Sequence, residues 1–211
     1  MGGCKNSPLF IFKGDAMNKK VKIMFENSLG AVPTEANIDF YDFSEVEPGE
    51  EDLRFPATLA KQGANSKPVF DYNEIALIFP ENDETHVAHY IAQLPHAYKS
   101  GSNVNPHVHL RLTKAGTPKF VMLYKWYNAN GGGVPDVWQE IVLERSTAVW
   151  SDGVISSMIY ALTPIDGTGK IESSIMLIKL YRQTGDGYSG NVLVDEFDVH
   201  FIAEKFGETF G

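Results

Sequence analysis

The stretch Asn105-Pro106-His107-Val108-His109-Leu110-Arg111-Leu112-Thr113 changes side-chain character at every step. Val108, Leu110 and Leu112 fall on one side, and His107, His109 and Arg111 on the other. This period of two belongs to a β-strand with one apolar face and one polar face, because successive Cβ atoms point to opposite sides of the pleat. A second stretch, 191–203, repeats the pattern: Leu193, Phe197, Val199 and Phe201 contrast with Glu196, Asp198 and His200, and Asp195 interrupts the apolar side.

Working outward, runs of strand length recur at 53–57, 75–79, 85–94, 106–113, 118–127, 137–149, 154–162, 173–183 and 191–203. No long window keeps the i, i+3, i+4 spacing of an amphipathic helix. The run Ile175 to Ile178 is apolar on both faces, which predicts a central strand or one covered by a neighbouring subunit. Between the runs lie Ala115-Gly116-Thr117-Pro118, Asn130-Gly131-Gly132-Gly133, Ser151-Asp152-Gly153, Asp166-Gly167-Thr168-Gly169 and Gly185-Asp186-Gly187, whose residues suit tight turns. Hairpin-like joins between strands predict an all-β fold. So many strands without intervening helices must close or stack, and the expectation is an antiparallel β-sandwich, jelly-roll-like, over residues 53–211.

Residues 1–52 read differently. The acidic stretch Ser44 to Asp52 has too little apolar area to order alone, so this segment is expected to be an N-terminal arm, poorly ordered or ordered by a partner. Asn37 to Phe43 alternates and is a candidate edge strand within it. Met17-Asn18-Lys19-Lys20 reads as an alternative start to Met1, and no export signal or myristoylation site is read at the beginning.

The chain has 211 residues, a size that buries roughly 70% of the unfolded surface without a covalent staple. Its single cysteine, Cys4, excludes an intrachain disulfide framework and fits synthesis in a reducing cytoplasm. Eighteen Lys and Arg against twenty-seven Asp and Glu give a net charge of −9 with no basic stripe, which disfavours direct nucleic-acid binding. The apolar runs are too short for a membrane-spanning helix, so no membrane partner is expected.

Five of the six histidines, His86, His89, His96, His107 and His109, lie close together in sequence. His107 and His109 at i and i+2 put two imidazoles on one strand face, from which they can reach one divalent metal, alone or around an oligomer axis. Gly101 followed after five residues by His-x-His matches the opening of a cupin motif. The carboxylate expected four or five residues later is replaced by Thr113 and Lys114, and His200 is a distant third donor in principle. An incomplete donor set favours local hydrogen bonding over a bound metal, so no cofactor is assigned.

Other chemistry is poorly represented. There is no G-x-S-x-G elbow, no phosphate-binding loop and no nucleophile environment for Cys4, so the expectation is a protein that is not an enzyme, with a cupin-like metal-binding enzyme using His107 and His109 as an alternative. Adjacent acids such as Asp195 and Glu196 point to opposite faces of a strand. Tyr98, Tyr124, Trp126, Tyr127, Trp138 and Trp150 suit either packing or the stacking of sugars, which keeps a carbohydrate-binding adhesin module open as an alternative.

The segments Leu53 to Ala57, Leu94-Pro95-His96-Ala97-Tyr98-Lys99-Ser100-Gly101, Pro106-His107-Val108-His109 and Tyr124-Lys125-Trp126 occur in that order. They are followed by Tyr181-Arg182, Asp186, Tyr188, Gly190 and Glu196 to His200. Together they resemble a tailed-bacteriophage and prophage virion protein family over about residues 52–203. Leu110 stands where the resemblance leads us to expect Trp. The resemblance implies a structural component of the virion, such as a head decoration or fibre, neck or tail adaptor protein. It implies synthesis in the host cytoplasm, other virion proteins as partners, and a homo-oligomer, for which a trimer is favoured. Tyr98, Lys99, Arg111, Trp126 and Tyr127 are the candidate partner-binding residues, and His107 and His109 the candidate metal ligands.

Overall fold

A computed structural model describes residues 49–114, 116–144 and 155–204 of the chain. The strands are β1 (Gly49–Pro56), β2 (Lys61–Gln62), β3 (Val69–Asp71), β4 (Ala76–Phe79), β5 (Ala88–Gln93), β6 (Val104–Leu112), β7 (Phe120–Tyr127), β8 (Gln139–Glu144), β9 (Ile155–Ala161), β10 (Ile175–Arg182) and β11 (Val192–Ala203). All nine expected strands are present, and their pairings are antiparallel. Residues 145–149 of one expected strand, the candidate edge strand at 37–43 and Trp150 lie outside the described residues. Among the described residues no helix is long and apolar enough to cross a membrane.

Pairing follows the order β2-β5-β10-β7-β8-β9-β6-β11-β4-β3, with β1 added on β11. The path folds back at the join of β8 and β9, which share only the pairs Leu143↔Ala161 and Glu144↔Tyr160. A β5-β10-β7-β8 layer therefore faces a β9-β6-β11-β1 layer in a jelly-roll-like sandwich. Val108, Leu110 and Leu112 of β6 are fully buried between the layers, as the alternation predicts. From the opposite layer come Met176, Ile178, Leu180, Phe120 and Met122. Aromatic rings cross the gap: Tyr90 stacks on Phe197 at 5.1 Å, and Phe79 meets Phe120 edge-on at 5.0 Å. Because Leu110 points into this core, its position offers no surface for an aromatic contact.

Two sequence expectations need correction. The strand expected at 53–57 starts earlier, because Gly49 to Asp52 pair with Ala203 to His200. Their side chains are exposed, so the neighbouring backbone orders this acidic segment rather than burial of apolar area. In β11 the inward residues are Val192 and Val194, then Phe197, Val199, Phe201 and Ala203, and Leu193 is not among them. A register shift between Val194 and Glu196 moves the parity by one residue, so Asp195 marks a β-bulge rather than a polar intrusion into the core. At the same point β11 exchanges one neighbour for another, β4 before the bulge and β1 after it. The doubly apolar strand β10 is indeed central, lying between β5 and β7.

Tyr90 carries a buried hydroxyl with no hydrogen-bond partner, and desolvation pushes its phenol pKa upward. An unmade hydrogen bond costs roughly 1–3 kcal/mol of desolvation, whereas the ring itself packs well. Tyr90→Phe is expected to leave the fold intact and to raise unfolding stability by about 1 kcal/mol in urea titration. A loss of stability would show that the hydroxyl is satisfied in solution.

Candidate functional site

The polar face of the β9-β6-β11-β1 layer collects the ionisable residues that its alternation turns away from the core. Antiparallel register sets Asp198 of β11 beside His107 of β6, and Asp52 of β1 beside His200 of β11. The bulge determines this choice, because it places Asp198 and His200, and not Phe197 and Val199, on the face that carries His107 and His109. Three atoms converge there. His107 Nε2 lies 3.1 Å from His109 Nε2 and 3.3 Å from Asp198 Oδ2, and His109 Nε2 lies 3.2 Å from the same oxygen.

This cluster is set into the layer. His107 and Asp198 are almost fully buried, whereas the His109 side chain is 42% exposed and forms the mouth. The second carboxylate oxygen, Asp198 Oδ1, is buried without a hydrogen-bond partner. Next to it, the His200 ring meets His107 edge-on at 4.2 Å between centroids, and His200 Nε2 is 2.9 Å from Asp52 Oδ1. Asp52, His107 and His200 form a second set of donors within 4.8 Å of one another. Arg54, across from Asp198 in register, pairs with Glu196 at 2.6 Å, and that hydrogen bond raises the guanidinium pKa further. The two candidate metal ligands are thus brought together, and a carboxylate of the same chain completes three donors without a symmetry mate. Sequence spacing missed Asp198 and Asp52 because they arrive through strand register.

The other histidines of the sequence cluster do not join this site. His86 is buried and satisfied locally, with Nδ1 3.2 Å from the Ile78 carbonyl and Nε2 3.3 Å from Asp83. His96 is exposed.

Of the candidate partner-binding residues, two are corrected. Tyr98 is buried and donates its hydroxyl hydrogen to the Ser102 carbonyl. Trp126 is buried, with its Nε1–H donated to Ser174 Oγ at 2.8 Å. Both are core residues, and the parity of Phe120, Met122 and Trp126 already carries that signal. Arg111 reaches the surface but is held by Asp195, at 2.9 Å from Nη2, and by Glu74, at 2.6 Å from Nη1. Lys99 is exposed and Tyr127 half-buried, so these two stay accessible. For sugar stacking, Trp138 has the ammonium groups of Lys179 and Lys125 over its ring at 4.3 and 5.3 Å.

A further polar network lies inside the sandwich. Arg182, at the end of β10, pairs with Asp186 through Nε–Oδ2 at 2.6 Å and Nη2–Oδ1 at 3.0 Å. The guanidinium also donates to the carbonyls of Gly190 and Tyr188. Asp186 in turn accepts the backbone N–H groups of Tyr188 and Lys119. The segments of the chain that follow β10 and precede β7 are tied together here.

No family model matches the chain, and no curated protein matches it. Among solved structures it is similar to dimeric latent PorU from Porphyromonas gingivalis, with 8% identity and a TM-score of 0.36, over 75% of this chain and 13% of that one. It is also similar to the structure of infectious bursal disease virus Gx strain, with 7% identity and a TM-score of 0.36, over 89% and 39%. A third likeness is to CBM28, a non-crystalline cellulose specific carbohydrate-binding module, with 10% identity and a TM-score of 0.28, over 92% and 87%. The chain spans less than half the length of the first two. At such scores and identities these likenesses assign no function, and what the chain itself shows is an antiparallel, jelly-roll-like β-sandwich with a histidine–carboxylate cluster on one outer face.

Proposed function

We propose that the chain is a non-enzymatic structural component of a tailed-phage virion, a head decoration or fibre, neck or tail adaptor protein made in the host cytoplasm. One observation carries this reading: the residues of the phage-family resemblance include side chains that hold the sandwich together. Leu94, Tyr98 and Trp126 are core side chains, and Arg182, Asp186 and Tyr188 form the internal polar network. A signature made of fold-holding residues suits a protein selected for shape and contact.

The outer surface supports contact as well. Leu59 and Ile91 stand 63% and 69% exposed beside an open recess lined by Phe55, Lys61, His89 and Tyr90. Large exposed apolar side chains grouped in this way commonly meet another protein. Other virion proteins and further copies of the chain, with a trimer favoured, are the proposed partners. Mass spectrometry of gradient-purified particles is expected to find the protein at a fixed copy number relative to the major head protein. Its absence from infectious particles that assemble normally would end the proposal.

A further inference from the structure

We infer that His107, His109 and Asp198 form a binding site for a tetrahedral divalent cation of the zinc class. The inference rests on the geometry of the three donors and does not depend on a role in a particle.

The donor atoms define a nearly equilateral triangle with edges of 3.1, 3.2 and 3.3 Å. Zinc bonds imidazole nitrogen and carboxylate oxygen at about 2.0–2.2 Å, which makes the edge of its coordination tetrahedron about 3.3–3.6 Å. Three protein donors therefore stand close to the spacing of one face of that tetrahedron. Two imidazoles and one carboxylate are also a donor set that zinc and its neighbours among the divalent transition metals accept readily, whereas calcium and magnesium want mostly oxygen.

Hydrogen bonding alone does not account for the triangle. If both Nε2 atoms carry a hydrogen, both can donate to Asp198, but their own contact at 3.1 Å then sets one N–H against another. If only one carries a hydrogen, it serves the contacts that its own nitrogen makes, and the third contact still sets lone pair against lone pair. A cation at the apex accepts all three lone pairs together. A second observation points the same way: Asp198 is buried, and its Oδ1 has no hydrogen-bond partner among the described protein atoms. A buried carboxylate in that condition carries a desolvation penalty that a nearby dication offsets.

The site would tie β6 to β11 beside the bulge. Next to the site, the His200 ring, paired with Asp52, packs edge-on against the His107 ring. Solvent reaches the cluster past the half-exposed His109, from where water or an exogenous donor would complete the coordination.

The test uses the full chain, produced without a histidine tag or chelator. Mass-spectrometric metal analysis is expected to find about one zinc per chain, and zinc added to chelator-treated protein should raise its melting temperature reversibly. His109→Ala, at the half-exposed mouth, is the variant least prone to misfolding. It is expected to weaken zinc binding by at least roughly 100-fold in calorimetric titration, the upper end of what losing even an outer-shell partner costs. Asp198→Asn should do the same, while His96→Ala should bind as the parent does. Failure of the parent chain to bind zinc stoichiometrically, or undiminished binding by His109→Ala, would overturn the inference, and neither result bears on whether the protein is found in particles.

Discussion

Asp186→Ala is expected to lower the unfolding free energy by about 3–5 kcal/mol, the cost of removing one partner from a buried ion pair. The side chains of Arg182 and Asp186 are only 1% and 2% exposed, so a guanidinium deprived of its carboxylate cannot turn to water. The pair is bidentate, which adds directional hydrogen bonding to the charge attraction. Losing Asp186 also frees the N–H groups of Tyr188 and Lys119, which the carboxylate now accepts. Chemical denaturation followed by tryptophan fluorescence would read the loss, with a fall in melting temperature of roughly 6–20 °C. The paired replacement Arg182→Met with Asp186→Leu should destabilise less than Asp186→Ala alone, because it leaves no uncompensated charge. A single variant within about 1 kcal/mol of the parent would mean that water reaches the pair.

The contrast between Arg182 and the outer cluster shows what a sequence reveals and what it hides. Strand alternation correctly places Val108, Leu110 and Leu112 on the core face and His107, His109 and Arg111 on the opposite face, because the pleat ties face to parity without reference to other strands. The same rule, applied to Phe120, Met122 and Trp126, puts the indole in the core. The amphipathic chemistry of Trp126 suits a surface contact, but its position in the alternation decides for the core. In β11 the parity rule fails at one residue, since a bulge leaves no mark except the misplaced Asp195. The two short strands Lys61–Gln62 and Val69–Asp71 are invisible because two or three residues cannot display a period.

The site follows the same division. His107 and His109 are two apart on one strand, and their convergence is a local fact that spacing predicts. Asp198 reaches them only through the register of β6 against β11, and that register depends on the bulge. One residue of slip would have presented Phe197 or Val199 in its place. A carboxylate that spacing along β6 does not offer is thus supplied beside the two histidines by a different strand. The Asp52–His200 pair was hidden for a related reason: an acidic segment that cannot bury itself is ordered by the backbone of a neighbour.

Phe197→Ala is expected to cost about 3–5 kcal/mol, the range for deleting a fully buried aromatic ring. Phe197 is the first inward residue after the bulge, and it is completely buried. Its ring stacks on Tyr90 at 5.1 Å and on Phe55 at 5.9 Å, and Phe55 lies 5.7 Å from Tyr90. Three strands from the two layers, β11, β5 and β1, thus meet at one side chain, and no single neighbour can collapse into the space that its removal leaves. Phe197→Leu should recover a large part of the loss by refilling volume, while a double-mutant cycle of Phe197→Ala with Phe55→Ala should show coupling of about 0.5–1.5 kcal/mol. Because Phe55 and Asp52 lie on the same strand, amide hydrogen exchange in Gly49–Pro56 is expected to quicken in Phe197→Ala before exchange in β10 does. If Phe197→Ala lost less than about 1.5 kcal/mol, the two layers would not be clamped at this point. The order of β1, and with it the Asp52–His200 pair beside the histidine cluster, would then need another source.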